Sequence, residues 1–403
     1  MPCQGAAMEN GSGNASGRNT GIDLLRGLSI LLVVLHHLGL RIPLRKTALA
    51  DVLPKGLLSA LNYNGYEAVF IFFVISGFLI TSNVLRRDRS LAGIDLRGFY
   101  ARRFSRIAPC LLLLVGVLSV LHLSGVQDYV IKREGQSLPG AVFAALGFYL
   151  NRYEGITGYL PGNWDVLWSL SIEEVFYLGF PVVCLLTRRA AVLAPVLIVL
   201  ALSLPVTRSA LEGNEIWQEK AYLPGMAAIA TGVLGALLAA RWPVVARRTT
   251  LLLACLGAVG MCWVMFDGAG VWGLLRNGYM LVLTGAALCL VLASQWSRGS
   301  RPLPGFGWLR SWGRLSYEIY LTHMFVVFAV VRLYKAAGGD AALGFLWYLP
   351  ALPLCWLLGR VVERSISVPA ERWLRGQMLS SAAVSAALSE QALPCGRVYE
   401  KNT

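Results

Sequence analysis

The chain has 403 residues, of which 56% are hydrophobic and only 14% charged, and its mean hydropathy is +0.59. A soluble domain carries about 25% charged residues, so this composition excludes a water-soluble enzyme; it allows about ten membrane spans of some 20 residues and little folded structure outside them. The net charge of +14 comes from 36 Lys and Arg against 22 Asp and Glu, but no basic region separates from the apolar ones, which excludes nucleic acid as a partner.

Residues 1–20, rich in Gly, Ser, Asn and Ala without an apolar period, read as a disordered lead. The first apolar run, 22–40, continues into Gly39-Leu40-Arg41 without a small-residue cleavage site and is therefore a span, not a signal peptide. An ionisable group inside a span costs about 2.5–3.5 kcal/mol, so each one needs a reason. Arg26 opens this first span and His36 and His37 follow ten and eleven residues later, a rise of about 16 Å that carries the histidines past the midplane. Adjacent side chains point about 100° apart, so one site can take only one of the rings. His37 is assigned to it, and His36 to packing within the bundle.

The second span, 66–85, contains Ser76 and Gly77, which suit either a channel lining or a close helix contact. Before the third span, 107–124, the string Phe99-Tyr100-Ala101-Arg102-Arg103-Phe104-Ser105-Arg106 gathers three guanidiniums. Such a run anchors a helix to anionic lipid. It also suits the phosphates of a nucleotide-type donor, with aromatic rings nearby. Residues 141–150 are apolar but too short to cross and read as interfacial or re-entrant. The fourth span, 164–186, holds Trp168, Ser169, Ser171, Glu173 and Glu174. Glu173 lies about 13 Å from the start of that span, a depth close to that of His37 on an opposing helix. A histidine meeting a carboxylate at mid-depth is the minimum kit for proton abstraction. Either carboxylate is also explained by pairing with Arg26 to hold helices together.

The fifth span, 191–206, contains Pro195 and Pro205 and is the weakest. Spans six to eight are 222–240, 251–266 and 277–294. The ninth, 315–334, begins with Tyr317, Glu318 and Tyr320 and carries His323 deeper, either an interfacial belt or part of a site. The tenth, 343–362, closes on Glu363 and Arg364 ahead of Pro369, which read as a cap. Residues 376–403 form a tail. Arginines 86, 87, 89, 97, 102, 103 and 106, then 188 and 189, then 241, 247 and 248, then 298, 301, 310 and 314 all fall on one side of this arrangement. The positive-inside rule makes that side cytoplasmic, with both termini there. The eight cysteines show no CxxC or Cys/His spacing, so neither a disulfide nor a metal site is expected. The fold class is an all-α bundle of about ten transmembrane helices.

Taken together these strings resemble the acyltransferase 3 family of multispanning membrane O-acyltransferases. The resemblance runs from about Gly21 to Arg375. It rests on Ile22-Asp23-Leu24-Leu25-Arg26-Gly27-Leu28-Ser29 followed by His37-Leu38-Gly39; on Phe72 to Ile80 around Ser76-Gly77; and on Phe99-Tyr100 with Arg102, Arg103, Arg106 and Pro109. Further matches are Trp168-Ser169-Leu170-Ser171-Ile172-Glu173-Glu174, Leu315-Ser316-Tyr317 with Tyr320 and His323, and Glu363-Arg364 near Pro369. Departures are Val175 where the family often has Gln, Glu318 where a small polar residue is common, and Leu24 where Gly is common.

The resemblance implies transfer of an acyl group, most often acetyl, from acetyl-CoA or another acyl-CoA to a hydroxyl of a sugar-containing acceptor: cell-surface polysaccharide, lipopolysaccharide, peptidoglycan, or a glycosylated lipid or macrolide. It implies a multi-pass protein of the bacterial inner membrane, with residues 21–375 as the membrane domain; some members add a C-terminal esterase-like domain, and with about 30 residues after the final motif a stand-alone member is expected here. On this reading Arg26, Arg102, Arg103 and Arg106 bind the donor phosphates, and His37 with Glu173 or Glu174 is catalytic, as base or as transient acyl carrier. Ser76, Trp168, Ser169, Tyr317 and His323 meet the substrate. The rise from Arg26 to His37, about 16 Å, is comparable to a pantetheine arm. Two rival readings remain: a secondary transporter or flippase with buried His and Glu as proton relay, which predicts internal repeats that the halves do not show, and a scaffold or receptor.

Overall fold

A computed structural model of the chain describes residues 18–297 and 303–378. Most of the expected disordered lead and of the tail, along with Cys3, Arg298, Arg301 and Cys395, lies outside the described residues. Among the described residues every regular element is helical. Among the same residues nine helices are long and apolar enough to cross a membrane, and the chain is a multi-pass integral membrane protein. With one shorter apolar helix they are, in chain order, α1 (Thr20–Gly39), α2 (Gly65–Asp88), α3 (Leu96–Leu123), α4 (Gly162–Thr187), α5 (Ala190–Leu202), α6 (Glu215–Arg241), α7 (Arg247–Phe266), α8 (Gly268–Trp296), α9 (Ser316–Ala336) and α10 (Gly344–Met378).

Nine of these coincide with expected spans. The fifth differs: α5 has only 13 residues and a separate six-residue helix, Leu204–Ser209, follows it. The cause is local, since Ser203 Oγ donates to the Leu200 carbonyl at 2.7 Å and Pro205 can donate no backbone hydrogen bond to continue the helix. Residues 141–150 divide between two short helices, Leu138–Leu146 and Leu150–Thr157, neither long enough to cross.

Caps set the ends that matter to the site. The Asn19 side chain accepts from the backbone N–H groups of Gly21 and Ile22 and starts α1, while buried Asp23 pairs with Arg18 at 2.9 Å. Asp95 caps α3 through the Gly98 N–H at 3.0 Å, which fixes the register of the arginines that follow. Leu251, Leu252, Leu256, Val259 and Trp263 of α7 face outward, as a helix on the lipid side of a bundle should.

The central crossing joins α2 to α6. Gly77 meets the backbone carbonyl of Ile229, and Gly232 meets that of Val74, closer than any added Cβ could sit. Gly77 is thus a helix-contact residue and not part of a channel wall, the small-residue contact by which membrane helices approach. Gly232→Ala is expected to cost about 1–3 kcal/mol through forced separation of the two helices. The melting temperature of the purified protein in detergent should fall; an unchanged value would mean the crossing opens without cost.

Candidate active site

Two cavities enter the bundle from its opposite ends. The first, of about 200 Å³, lies at the end that carries the arginine-rich loops and is lined by Arg26, Ser76, Arg103, Arg106, Ser169, Glu173, Tyr177, Ser316, Tyr317 and Tyr320, among others. Five helices thus contribute, because α1, α2, α3, α4 and α9 each turn their few polar residues inward. Arg26 donates from Nε and Nη2 to Ser316 Oγ at 3.2 and 2.7 Å. Tyr177 OH donates to Glu173 Oε2 at 3.1 Å and contacts Ser76 Oγ, so a hydroxyl string runs from Ser76 through Tyr177 to the carboxylate. The Arg103 guanidinium lies 4.5 Å above the Tyr177 ring centre. Tyr317 OH donates to the Ile107 carbonyl at 3.0 Å and ties α9 to the arginine helix.

The second cavity is larger, about 620 Å³, and includes His36, His37, Arg41, Tyr66, Glu67, Asp165, Trp168, Arg208, Glu219, Lys220, Tyr279 and Tyr320 in its wall. His36 is held by the Asn62 carbonyl, 3.0 Å from its Nδ1. The His37 ring lies 5.3 Å from that of His36 and 5.1 Å from that of His323, centre to centre. His323 Nδ1 sits 2.8 Å from the Tyr320 carbonyl and 3.1 Å from that of Ile319. That nitrogen must carry the proton, since carbonyls only accept. Its Nε2 is then a lone-pair acceptor, buried and without a partner among the described residues.

Around the same cavity Lys220 Nζ donates to Glu154 Oε2 at 2.9 Å and also bonds Asp165, while lying 4.4 Å from the centre of the Tyr159 ring. Burial, with Asp165 beside it, pushes the Glu154 carboxyl above the usual carboxylate range, and Lys220 opposes that shift. Arg208, buried, donates from Nε to Asn277 Oδ1 at 3.2 Å and from Nη1 to Tyr66 OH. Tyr279 OH donates to Glu67 Oε1 at 3.2 Å.

The wall between the cavities is thin. Val69 and Tyr320 line both. Tyr320 OH is fixed by Ser169 Oγ at 2.7 Å and by the Val166 carbonyl at 3.0 Å.

The structure therefore brings Arg26, Ser76, Arg103, Arg106, Ser169, Glu173 and Tyr317 into one cavity and places His37 and Trp168 in the other. Sequence reasoning paired His37 with Glu173 or Glu174. Instead Glu173 turns toward the three guanidiniums and Tyr177, where a carboxylate in an apolar bundle finds its countercharge. Glu174 is buried beside it, its Oε1 without a partner among the described residues, and is not part of the cavity lining. The ring next to His37 is His323. Arg102 is absent from the lining of the first cavity and faces the adjoining cleft, with Arg87 and Arg375. Tyr177, Glu67, Asp165, Arg208 and Lys220 were missed; tyrosine in an apolar helix carries no signal, and the charged residues lie near span ends, where charge is ordinary. Among the described residues no group of three or more His, Cys, Asp or Glu side chains could hold a metal ion.

Comparison with known proteins gives a family model described as acyltransferase domain over residues 19–360. A peptidoglycan O-acetyltransferase, OatA, of Listeria monocytogenes is 24% identical over 326 residues, 75% of this chain and 48% of that protein. An O-acetyltransferase, OatA, of Staphylococcus aureus is 24% identical over 366 residues, 87% of this chain and 56% of that protein. A protein named putative O-acetyltransferase from S. aureus is 30% identical over 167 residues, 40% of this chain and 24% of its own length. The aligned part spans about half or less of these curated relatives. No solved structure matches the chain.

Proposed function

The chain belongs to the acyltransferase 3 family, and on that premise we propose that it moves an acetyl group from acetyl-CoA to a hydroxyl of a sugar-containing acceptor of the cell envelope. Peptidoglycan is the first acceptor to test, because it is named for the Listeria relative. The observation that carries the reading is the meeting of two unlike cavities at one thin wall: one lined by three arginines, the other by His37.

In this reading the arginine end is cytoplasmic, as the positive-inside rule requires, and the protein sits in the inner membrane. The donor enters there with its phosphates near Arg103 and Arg106 and its thioester arm directed toward Arg26, Ser76 and Tyr320. The acceptor enters the larger cavity, whose Tyr66, Trp168 and Tyr159 rings and mixed charges suit a sugar. His37 takes the acceptor hydroxyl proton, and the oxygen attacks the thioester carbonyl carbon once the donor arm has passed between Val69 and Tyr320. The C–S bond then breaks, and the thiolate departs toward the arginine end. His323 acts as a positioning residue: its Nδ1–H is anchored on backbone carbonyls, which leaves Nε2 to receive an N–H from His37 after a small ring rotation. Glu173 offsets one of the three guanidinium charges and holds Tyr177 in place.

Deleting the gene and restoring it on a plasmid provides the test. Envelope glycan from the restored strain should carry the mass increment of an acetyl group that the deletion strain lacks. Identical glycan and lipid mass spectra from the two strains would overturn the reading.

A further inference from the structure

Beside the donor cavity, a second cleft of about 190 Å³ is lined by five guanidiniums, Arg87, Arg102, Arg103, Arg106 and Arg375, with only Asp88 and Glu371 as carboxylates. They come from three places in the chain: the end of α2, the start of α3 and the end of α10. Arg102 approaches Asp95 at 4.0 Å, and none of the other four has a carboxylate within that distance among the described residues. Arg87 and Arg375 are close enough to Arg102 to act on it electrostatically. Like charges gathered in this way repel, and they are held together most readily by an anion that several of them share.

The cleft is continuous with the donor cavity, because Asn83, Arg103 and Arg106 line both. Arg103 also stacks on Tyr177 inside the cavity, so it stands at the neck between the two spaces. One ligand filling both must carry a slender neutral tail and a head with more than one phosphate. Acyl-CoA has that form: a pantetheine arm, a diphosphate and a separate phosphomonoester on the ribose. The guanidinium fork matches phosphate oxygens two at a time, and a dianionic monoester can satisfy several forks.

We propose that Arg87, Arg102 and Arg375 bind the ribose phosphomonoester of the donor while Arg103 and Arg106 hold its diphosphate at the neck. This rests on the coenzyme A reading above. The enzyme then distinguishes acetyl-CoA from acetyl-dephospho-CoA. A phosphate of an anionic lipid headgroup is the other source of the same chemistry, and the continuity with the cavity favours the donor.

The test is binding by calorimetry to the full chain in nanodiscs of neutral lipid. Wild type is expected to bind acetyl-CoA about 10- to 100-fold more tightly than acetyl-dephospho-CoA. In Arg375→Gln and Arg87→Gln the gap should shrink through weaker binding of acetyl-CoA alone, with dephospho-CoA binding unmoved. Arg97→Gln, exposed on the same helix start and outside the cleft, should leave the gap intact. Equal binding of both donors by wild type, or a full gap in both cleft variants, overturns the inference and leaves the coenzyme A reading standing. Binding of neither donor overturns both. If nanodiscs containing anionic lipid abolish the gap in wild type, the cleft is a lipid site and the inference is wrong.

Discussion

Replacing His37 by alanine is expected to lower acetyl transfer by about three orders of magnitude, the scale on which a positioned general base acts. His36→Ala is expected to keep most of the rate. The two rings are neighbours in sequence and both line the larger cavity, yet their circumstances differ. His36 is occupied by the Asn62 carbonyl and packs against Gly65, so its loss removes a helix contact. The His37 ring has no hydrogen-bonded partner of this kind among the described residues, faces His323, and lines the larger cavity. Radiolabelled acetyl transfer in nanodiscs, normalised to folded protein, separates the effects. A His37→Ala enzyme at wild-type rate removes this ring from the chemistry. Loss of activity in His36→Ala alone would show that the wrong ring has been chosen. His323→Ala should give an intermediate loss with the KM for donor unchanged, because it acts through His37.

Lys220→Ala is expected to destabilise the protein by about 3–5 kcal/mol, the cost of breaking one side of a buried ion pair. Its side chain is 3% exposed and that of Glu154 fully buried, so solvent screens little of the interaction. The substitution removes the countercharge that the Glu154 and Asp165 carboxylates share. The triple replacement Lys220→Met with Glu154→Gln and Asp165→Asn should recover much of the loss, since it removes all three charges together. Thermal unfolding followed by size-exclusion chromatography in detergent reads both. A single variant as stable as wild type, or a triple variant no better than the single one, would refute the account. The ion cluster binds the short helix Leu150–Thr157 to the starts of α4 and α6 and so shapes the mouth of the cavity that holds His37.

The spans were legible because a bilayer demands long apolar runs, and nine appear as helices where the runs fall. The fifth was legible only as a weak one, and the break at Ser203 and Pro205 is the reason. Arg26, His37 and Glu173 stood out for the same cause: a charge inside a span must be compensated. The pairing of His37 with a span-four carboxylate did not survive, because rise per residue gives height along a helix but not the direction a side chain faces. Glu173 is drawn to the nearest guanidiniums, and these come from α1 and α3. Lys220, Asp165 and Arg208 were illegible since a charge at the end of a span is what any membrane helix shows; their convergence is set by how α4, α6 and the Leu204–Ser209 helix fold back on the bundle.

The wall formed by Val69 and Tyr320 has an electrical consequence. Where water fills the cavity at each end, the insulating layer narrows to that wall, and the transmembrane potential then falls mainly across it. In the proposed reaction the acetyl group crosses without charge. The hydroxyl proton, however, is released on one side and the thiolate on the other, so each turnover separates one elementary charge unless the proton follows the sulfur. That separation is worth about 2.3 kcal/mol for every 100 mV. Acetylation on one face of the membrane would thereby be coupled to the energised state of the membrane itself, with Tyr320 as the insulator whose integrity keeps the potential from discharging through the enzyme.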